Sequence, residues 1–136
     1  MKTLSYSPPI RSLIIDDEID ICNLLGNILA RRNIQNEYAN SLTDSKQILR
    51  DHRFDFIFLD NYLPDGKGID FIPYLKNSFP AIKIILITAL ADQSMQDKMQ
   101  KSGIDCFLPK PLHMDTINEA IDDLLKKESK AISKNA

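Results

Sequence analysis

Acidic, hydroxyl and amine side chains follow four apolar segments of this chain, each at the point where the segment ends. Asp16 and Asp17 follow the first, Asp60 closes FIFLD, Thr88 closes KIILIT, and Lys110 follows DCFLP. A single acid after a strand is commonly a helix cap, so no one position carries the inference. Three carboxylates in one place repel each other and resist joint ionisation unless a cation shares them. The set as a whole indicates a site for a cation and an anion.

The residue types specify the chemistry further. Mg²⁺ prefers hard oxygen ligands, uses few from the protein and keeps waters plus a phosphate oxygen. Lys110 and Thr88 supply donors for an anion held opposite the metal. Asp60 is the best nucleophile candidate, because its strand is central and an open loop, NYLPDGKG, follows it. With Asp16 and Asp17 as metal ligands, the pattern predicts a phosphoryl group attached to, or passing through, Asp60.

Such a site requires strands whose carboxyl ends meet at one edge of a sheet. Five apolar runs recur at intervals of roughly 20 to 28 residues and predict strands over 12–16, 36–40, 54–60, 83–88 and 105–109. The runs ending at Asp16, Asp60 and Thr88 are typical of strands buried on both faces of a parallel sheet. The run 36–40 is weak by itself, and its position is predicted by the spacing.

Amphipathic segments between these runs predict five helices, over Glu18–Arg32, Thr43–His52, Ile69–Asn77, Asp92–Ser102 and from Asp115 onward. Pro73 indicates that the third helix begins late in its segment, because proline is tolerated only in a first turn. Alternating strands and helices predict an α/β fold with right-handed crossovers. We therefore expect a doubly wound five-stranded parallel sheet in the order 2-1-3-4-5, with ligands outside the carboxyl ends of its strands.

Composition and charge bound the classes of protein. The chain has 136 residues, 43% hydrophobic and 26% charged, which predicts one globular domain over residues 10–128. A short tail, 1–9, precedes it, and a Lys-rich tail, 129–136, follows. No apolar run approaches the roughly 18 residues of a membrane span, and a net charge of −2 argues against direct nucleic-acid binding. Cys22 and Cys106 do not have the spacing of metal-binding cysteines, and each lies within an apolar pattern. We interpret them as buried free thiols in a reducing compartment, which predicts a cytoplasmic location.

Four motifs in order, IIDDE, FIFLDNYLPDGKG, ILITA and FLPKP, resemble the landmarks of receiver domains of two-component response regulators. The resemblance covers about residues 10–128 and implies the flavodoxin-like receiver fold with Mg²⁺ as the cofactor. By position, Asp60 matches the phosphoacceptor aspartate of that family. Asp16 and Asp17 match the acidic pair that binds Mg²⁺, and Tyr62 would lend its backbone carbonyl to the metal.

The resemblance assigns roles to five further positions. Thr88 matches the switch hydroxyl that moves onto the phosphoryl group, and Lys110 matches the lysine that pairs with that group. Phe107 occupies the position of the aromatic residue that rotates inward on activation. Pro111 follows the lysine where the family usually has a cis peptide bond, and Gly68 matches the glycine that closes the acceptor loop.

The resemblance also implies a function. Receiver domains take a phosphoryl group from a sensor histidine kinase or a histidine phosphotransfer protein, and they catalyse only this transfer and their own dephosphorylation. Phosphorylation repacks the face made by the fourth helix, the fifth strand and the fifth helix. We expect a single-domain regulator that controls a separate effector protein, or that serves as a phosphorelay intermediate or phosphate sink. Both a monomer and a phosphorylation-dependent dimer are compatible with this role.

The sequence departs from the usual pattern of the family at Leu63, where methionine is common and the change is conservative, and at Tyr62. Tyr62 is bulky, and Leu90 lies two residues after Thr88. We hypothesise that both side chains screen the acyl phosphate from water and prolong its lifetime.

An aspartyl-phosphate hydrolase is one alternative function, but it would need a second acid at the position that Tyr62 occupies. A degenerate receiver, acting as a phosphorylation-independent protein-binding module, is the remaining alternative, and the complete set of site residues argues against it.

Overall fold

The computed structural model describes residues 8–89 and 92–135, with side chains as far as residue 126. Within these residues the chain forms seven strands and five helices, in the order β1 (Arg11–Ile15), α1 (Ile19–Arg31), β2 (Gln35–Ala39), α2 (Leu42–Asp51), β3 (Phe56–Asp60), β4 (Tyr62–Leu63), β5 (Gly66–Lys67), α3 (Gly68–Ser78), β6 (Lys83–Thr88), α4 (Gln93–Ser102), β7 (Cys106–Pro109) and α5 (Met114–Asn135). The five predicted strands and five predicted helices are all present. The weak run 36–40, whose position was predicted mostly by the spacing, corresponds to β2.

The main sheet has the strand order β2-β1-β3-β6-β7, and all its neighbouring pairs are parallel. This confirms the predicted order 2-1-3-4-5. Every residue of the central strand β3 is buried, because helices cover both faces of a parallel sheet and leave no face for water. The unbroken apolar run that predicted this strand is therefore a direct consequence of its position.

Two apolar layers flank the sheet, and alternate residues of each strand enter opposite layers. Phe56 and Phe58 pack with α1 and α5, whereas Ile57 and Leu59 pack with α2, α3 and α4. Cys22 is buried in the α1 layer, as predicted, whereas Cys106 is only half-buried. The strands are thus packed on both faces, and their carboxyl ends lie along one edge of the sheet.

The third helix corrects the sequence-based prediction. It begins at Gly68, and Pro73 lies inside it instead of near its start. An interior proline costs about 3 kcal/mol, whereas each large apolar side chain that is buried contributes about 1.5–3 kcal/mol. Ile69, Phe71 and Ile72 are all buried in the first turns of the helix. Their burial outweighs the cost of the proline, so the helix forms from its first residue.

The terminal segments differ in what is described. The fifth helix continues to Asn135, so that residues 129–135 of the segment predicted as a Lys-rich tail are helical. Residues 1–7 of the predicted N-terminal tail lie outside the described residues. In the part of the chain that the structure describes, no helix combines the length and the apolarity that crossing a membrane requires.

Candidate functional site

The polar residues that follow the strands meet at the carboxyl edge of the main sheet. Asp16 follows β1, Asp60 is the last residue of β3, and Thr88 is the last residue of β6. Lys110 follows β7, and its backbone N–H donates to the carbonyl of Thr88 at 3.0 Å. Parallel strands end on the same edge, so residues far apart in the chain come together there.

Three carboxylates form the acidic part of the site. Oxygen atoms of Asp16, Asp17 and Asp60 lie within 4.8 Å of one another. Asp16 is 0% exposed and Asp60 is 3% exposed, whereas Asp17 faces solvent. One oxygen of Asp16 accepts the backbone N–H of Glu18 at 2.8 Å. Among the described residues, the other oxygen, Oδ2, is buried without a hydrogen-bond donor.

The Lys110 ammonium group lies between these acids. Its Nζ is 3.2 Å from Asp60 Oδ1 and 3.8 Å from Asp16 Oδ2. It also lies 3.3 Å from Oε2 of Glu18, an exposed residue at the start of α1. The lysine thus compensates part of the buried negative charge, and it stands where an oxygen atom bound to Asp60 would meet a donor.

Burial controls the ionisation of the site. It raises the pKa of Asp16 from 3.8 to about 6, and the neighbouring Asp60 carboxylate adds to the effect. Burial also raises the pKa of Asp60 above 3.8, and the facing Lys110 lowers it only in part. For Lys110, burial lowers the pKa, but the facing carboxylates, with Asp16 the strongest, raise it above 10.5. The amine therefore stays charged, while the acids resist ionisation.

These properties fit a divalent cation. A buried carboxylate oxygen without a donor, next to two further acids, is an arrangement that Mg²⁺ stabilises by direct ligation. Asp16, Asp17 and Asp60 would hold the ion in this way. The Tyr62 carbonyl, the fourth ligand implied by the resemblance, belongs to the loop directly after Asp60.

The loop after Asp60 is held to the sheet and to α3 by Asn61. Its N–H donates to the carbonyl of Ile87 at 2.9 Å, and its carbonyl accepts the N–H of Gly68 at 2.9 Å. The Asn61 side-chain oxygen accepts the N–H of Ile69 at 3.0 Å. A Cβ atom on Gly68 would lie 2.3 Å from the backbone oxygen of Asp60. Only glycine lets the start of α3 approach the end of β3 so closely.

The remaining predicted positions lie around this centre. Thr88 is buried at the end of β6, next to β3 in the sheet. Phe107 is half-buried in β7 and packs against the layer that includes α4. The peptide bond between Lys110 and Pro111 is cis. The Tyr62 side chain is 45% exposed, with Lys67 Nζ 6.0 Å from its ring centre. Leu90 lies outside the described residues.

Three residues of the site were missed by the sequence analysis. Glu18 is the third acid of IIDDE, and its negative charge could have indicated a contact with Lys110. Asn61 is a fully buried amide within the acceptor loop, and a polar residue directly after a buried strand was its signal. Asp65 lies in the sequence PDG, which is typical of a turn, and nothing local indicates that it reaches α2.

Known proteins similar to this chain include response regulators and their receiver domains. A family model described as the response regulator receiver domain matches residues 12–122. The chain is 30% identical over 116 residues to the response regulator protein PilR of Pseudomonas aeruginosa, which covers 85% of this chain and 26% of PilR. The chain spans less than half the length of the other curated relatives it matches.

Two solved structures are similar over nearly their whole length. One is the solution structure of the beryllofluoride-activated NtrC4 receiver domain dimer, with 29% identity and a TM-score of 0.80, covering 86% of this chain and 97% of that chain. The other is a CheY-like receiver domain protein from Methanospirillum hungatei, with 23% identity and a TM-score of 0.85, covering 91% and 99%. At 23% identity the second likeness shows the fold alone.

Proposed function

This chain belongs to the response regulator receiver domain family, and we propose that it is a phosphoacceptor switch with Asp60 as its phosphorylated residue. The observation that carries the proposal is the position of Lys110, whose Nζ lies 3.2 Å from Asp60 Oδ1 beside two further carboxylates. A carboxylate nucleophile, a cation-binding set and a fixed ammonium group are the parts that phosphoryl transfer requires.

The transfer proceeds in one displacement. An oxygen of Asp60 attacks the phosphorus of a phosphohistidine, the P–N bond breaks, and its electron pair returns to the imidazole ring. Lys110 stabilises the charge on the phosphoryl oxygens. Asp16, Asp17, Asp60 and the carbonyl of Tyr62 would hold Mg²⁺, which would supply neutralisation of the negative charge at the phosphoryl group. Outside this transfer and the hydrolysis of the phosphoaspartate to Asp60 and inorganic phosphate, we propose no enzymatic activity.

The resulting phosphoaspartate drives the switch. The new dianion draws the hydroxyl of Thr88 inward, and the space it leaves admits the ring of Phe107. Phe107 already packs against the layer that contains α4, so its rotation would repack the face of α4, β7 and α5. This is a two-state equilibrium that a local charge biases. We propose that the repacked face controls a partner protein, as an effector switch or as a relay step.

Partners and location follow from this proposal. The phosphoryl donor would be a sensor histidine kinase or a histidine phosphotransfer protein, and the protein would be located in the cytoplasm. The NtrC4 receiver domain is described as a dimer in its beryllofluoride-activated form. A monomer and a phosphorylation-dependent dimer are therefore the two states to distinguish, by measuring molar mass before and after phosphorylation.

The test of the proposal is phosphorylation by a small donor. Purified protein is incubated with Mg²⁺ and acetyl phosphate, and intact mass is measured for wild type, for Asp60→Asn and for Asp70→Asn, an exposed acid on α3. We expect one added phosphoryl group in wild type and Asp70→Asn, and none in Asp60→Asn. No addition in any variant, together with no Mg²⁺ binding, would favour the protein-binding module and overturn the proposal.

We further propose that Tyr62 prolongs the phosphorylated state. Its ring is 45% exposed in the loop directly after the acceptor Asp60, where a bulky group would hinder the approach of water to the acyl phosphate. The sequence analysis assigns the same role to Leu90, which lies outside the described residues. The corresponding measurement is the rate of dephosphorylation after removal of the donor.

A further inference from the structure

The acceptor loop is attached to α2 by the side chain of Asp65. Its Oδ1 accepts the backbone N–H of Leu42 at 2.9 Å, and its Oδ2 accepts the backbone N–H and the hydroxyl of Thr43 at 2.9 and 2.7 Å. Leu42 and Thr43 are the first two residues of α2, whose N–H groups have no partner within the helix. The third N–H, from Asp44, is bound at 3.1 Å by Ser41, the N-cap residue of α2.

Asp65 occupies the turn of a small hairpin. The hairpin pairs Tyr62 with Lys67 and Leu63 with Gly66, and Asp65 lies between its two strands. A Cβ atom on Gly66, where φ is +155°, would lie 3.0 Å from the Leu42 side chain. The hairpin is therefore in close contact with α2, and its position depends on that helix as well as on β3.

The same hairpin begins at Tyr62, two residues after the phosphoacceptor. Asn61 fixes the start of the loop to β6 and α3, whereas the contacts of Asp65 fix its far side. Without the Asp65 contacts, the loop would be held to the rest of the fold mainly by the hydrogen bonds of Asn61, on one side of Tyr62. A carbonyl that ligates Mg²⁺ must be held in place before the ion arrives, because the ion demands near-ideal geometry.

We propose that Asp65 is a positioning residue for the phosphorylation site: it fixes the acceptor loop, and with it the Tyr62 carbonyl, to the N-terminus of α2. The proposal rests on the proposed function, because it concerns the same Mg²⁺-dependent site. It makes α2 part of the frame that holds the metal, a role that neither the resemblance nor the spacing of the site residues assigned.

The charge of Asp65 supports this role. Its three hydrogen bonds, the strongest from the Thr43 hydroxyl, lower the pKa of the carboxyl from 3.8 to about 2. The carboxylate is thus ionised at any pH at which the protein would be assayed. A negative charge at a helix N-terminus also interacts favourably with the helix dipole.

The experiment compares Mg²⁺ binding in three variants by titration calorimetry, with Mg²⁺ alone as the probe, at a temperature where all are folded. Asp65→Ala is expected to raise the Kd about tenfold, at the lower end of the range for residues that orient metal ligands. Thr43→Val, which removes one of the three bonds, is expected to raise it less than about twofold. Phosphorylation by acetyl phosphate is measured in parallel, and its rate at limiting Mg²⁺ should fall with the affinity.

Ser41→Ala is the matched control. It removes the cap that α2 supplies itself, which lowers the folding equilibrium constant about fivefold, but Ser41 does not hold the loop. We expect its Mg²⁺ affinity to equal that of wild type. If Asp65→Ala also binds Mg²⁺ like wild type, Asp65 is merely a helix cap and the inference is overturned, while the proposed function stands. If wild type binds no Mg²⁺, the proposed function fails first, so the two failures are distinguishable.

Discussion

Replacing Asp16 by Asn should stabilise the metal-free protein at neutral pH. The side chain is 0% exposed, and its oxygen Oδ2 is buried without a hydrogen-bond donor among the described residues. Burial raises its pKa to about 6, so the ionised carboxylate is unfavourable in the fold. Asn keeps the oxygen that accepts the Glu18 N–H, removes the charge, and leaves Lys110 paired with Asp60 and Glu18.

The magnitude follows from proton linkage. The pKa in the fold, about 6, lies roughly two pKa units above the ordinary value of 3.8, and each unit corresponds to about 1.36 kcal/mol. Because the pKa is raised in the folded state, the destabilisation by Asp16 is absent below pH 3.8. It grows between pH 3.8 and about 6 and has its full value above pH 6. The Asp16 carboxyl thus destabilises the fold by about 3 kcal/mol at pH 7.5, where it is ionised, and by about 1 kcal/mol at pH 4.5, where folding requires its protonation.

The assay is urea unfolding of wild type and Asp16→Asn at both pH values, with EDTA present to remove divalent cations. Asp123→Asn, an exposed change on α5, is the control and should stay within about 0.5 kcal/mol at either pH. If Asp16→Asn does not raise the free energy of unfolding at pH 7.5, or raises it equally at the two pH values, the reasoning that a buried charge destabilises the fold is refuted.

Three further predictions concern the neighbouring residues. Gly68→Ala should destabilise the fold by about 1–3 kcal/mol and slow phosphorylation, because its Cβ would lie 2.3 Å from the Asp60 carbonyl; urea unfolding and intact mass measure the two effects. Glu18→Gln should speed labelling by acetyl phosphate about 1.5- to 5-fold, because an exposed ion pair worth about 0.2–1 kcal/mol no longer holds Lys110. Tyr62→Asn should shorten the lifetime of the phosphorylated state severalfold, measured as loss of phosphoryl mass after the donor is removed.

Each of these predictions has a contrary outcome. Gly26→Ala adds a Cβ atom 3.2 Å from the Asn36 side chain, inside α1, where alanine gains about 1 kcal/mol of helix propensity; a cost equal to that of Gly68→Ala would contradict the close-approach argument. An unchanged or slower labelling rate in Glu18→Gln would show that Glu18 does not compete for the lysine. An unaltered dephosphorylation rate in Tyr62→Asn would sink the proposed screening of the acyl phosphate.

Local pattern alone was sufficient to predict the topology and the centre of the site. A strand buried on both faces must be apolar along its length, so the runs ending at Asp16, Asp60 and Thr88 are visible in the sequence. Parallel strands end on one edge, so the positions after these runs predicted the meeting of the acids with Lys110. Both inferences need only the spacing of residue types, because connections in α/β folds follow few paths.

Contacts between distant segments were decided by the tertiary structure. Pro73 predicted a late helix start, but the burial of the residues around it outweighs its local cost. Glu18 and Asp65 read locally as a helix start and a turn, and only the folded chain brings one to Lys110 and the other to α2. The raised pKa of Asp16 has the same origin, because burial depends on what covers a side chain, and distant elements provide that cover. The residues next to each other in the chain determine whether a segment is a helix or a strand and where a strand ends. The contacts of a side chain and its pKa depend on how distant elements pack around it.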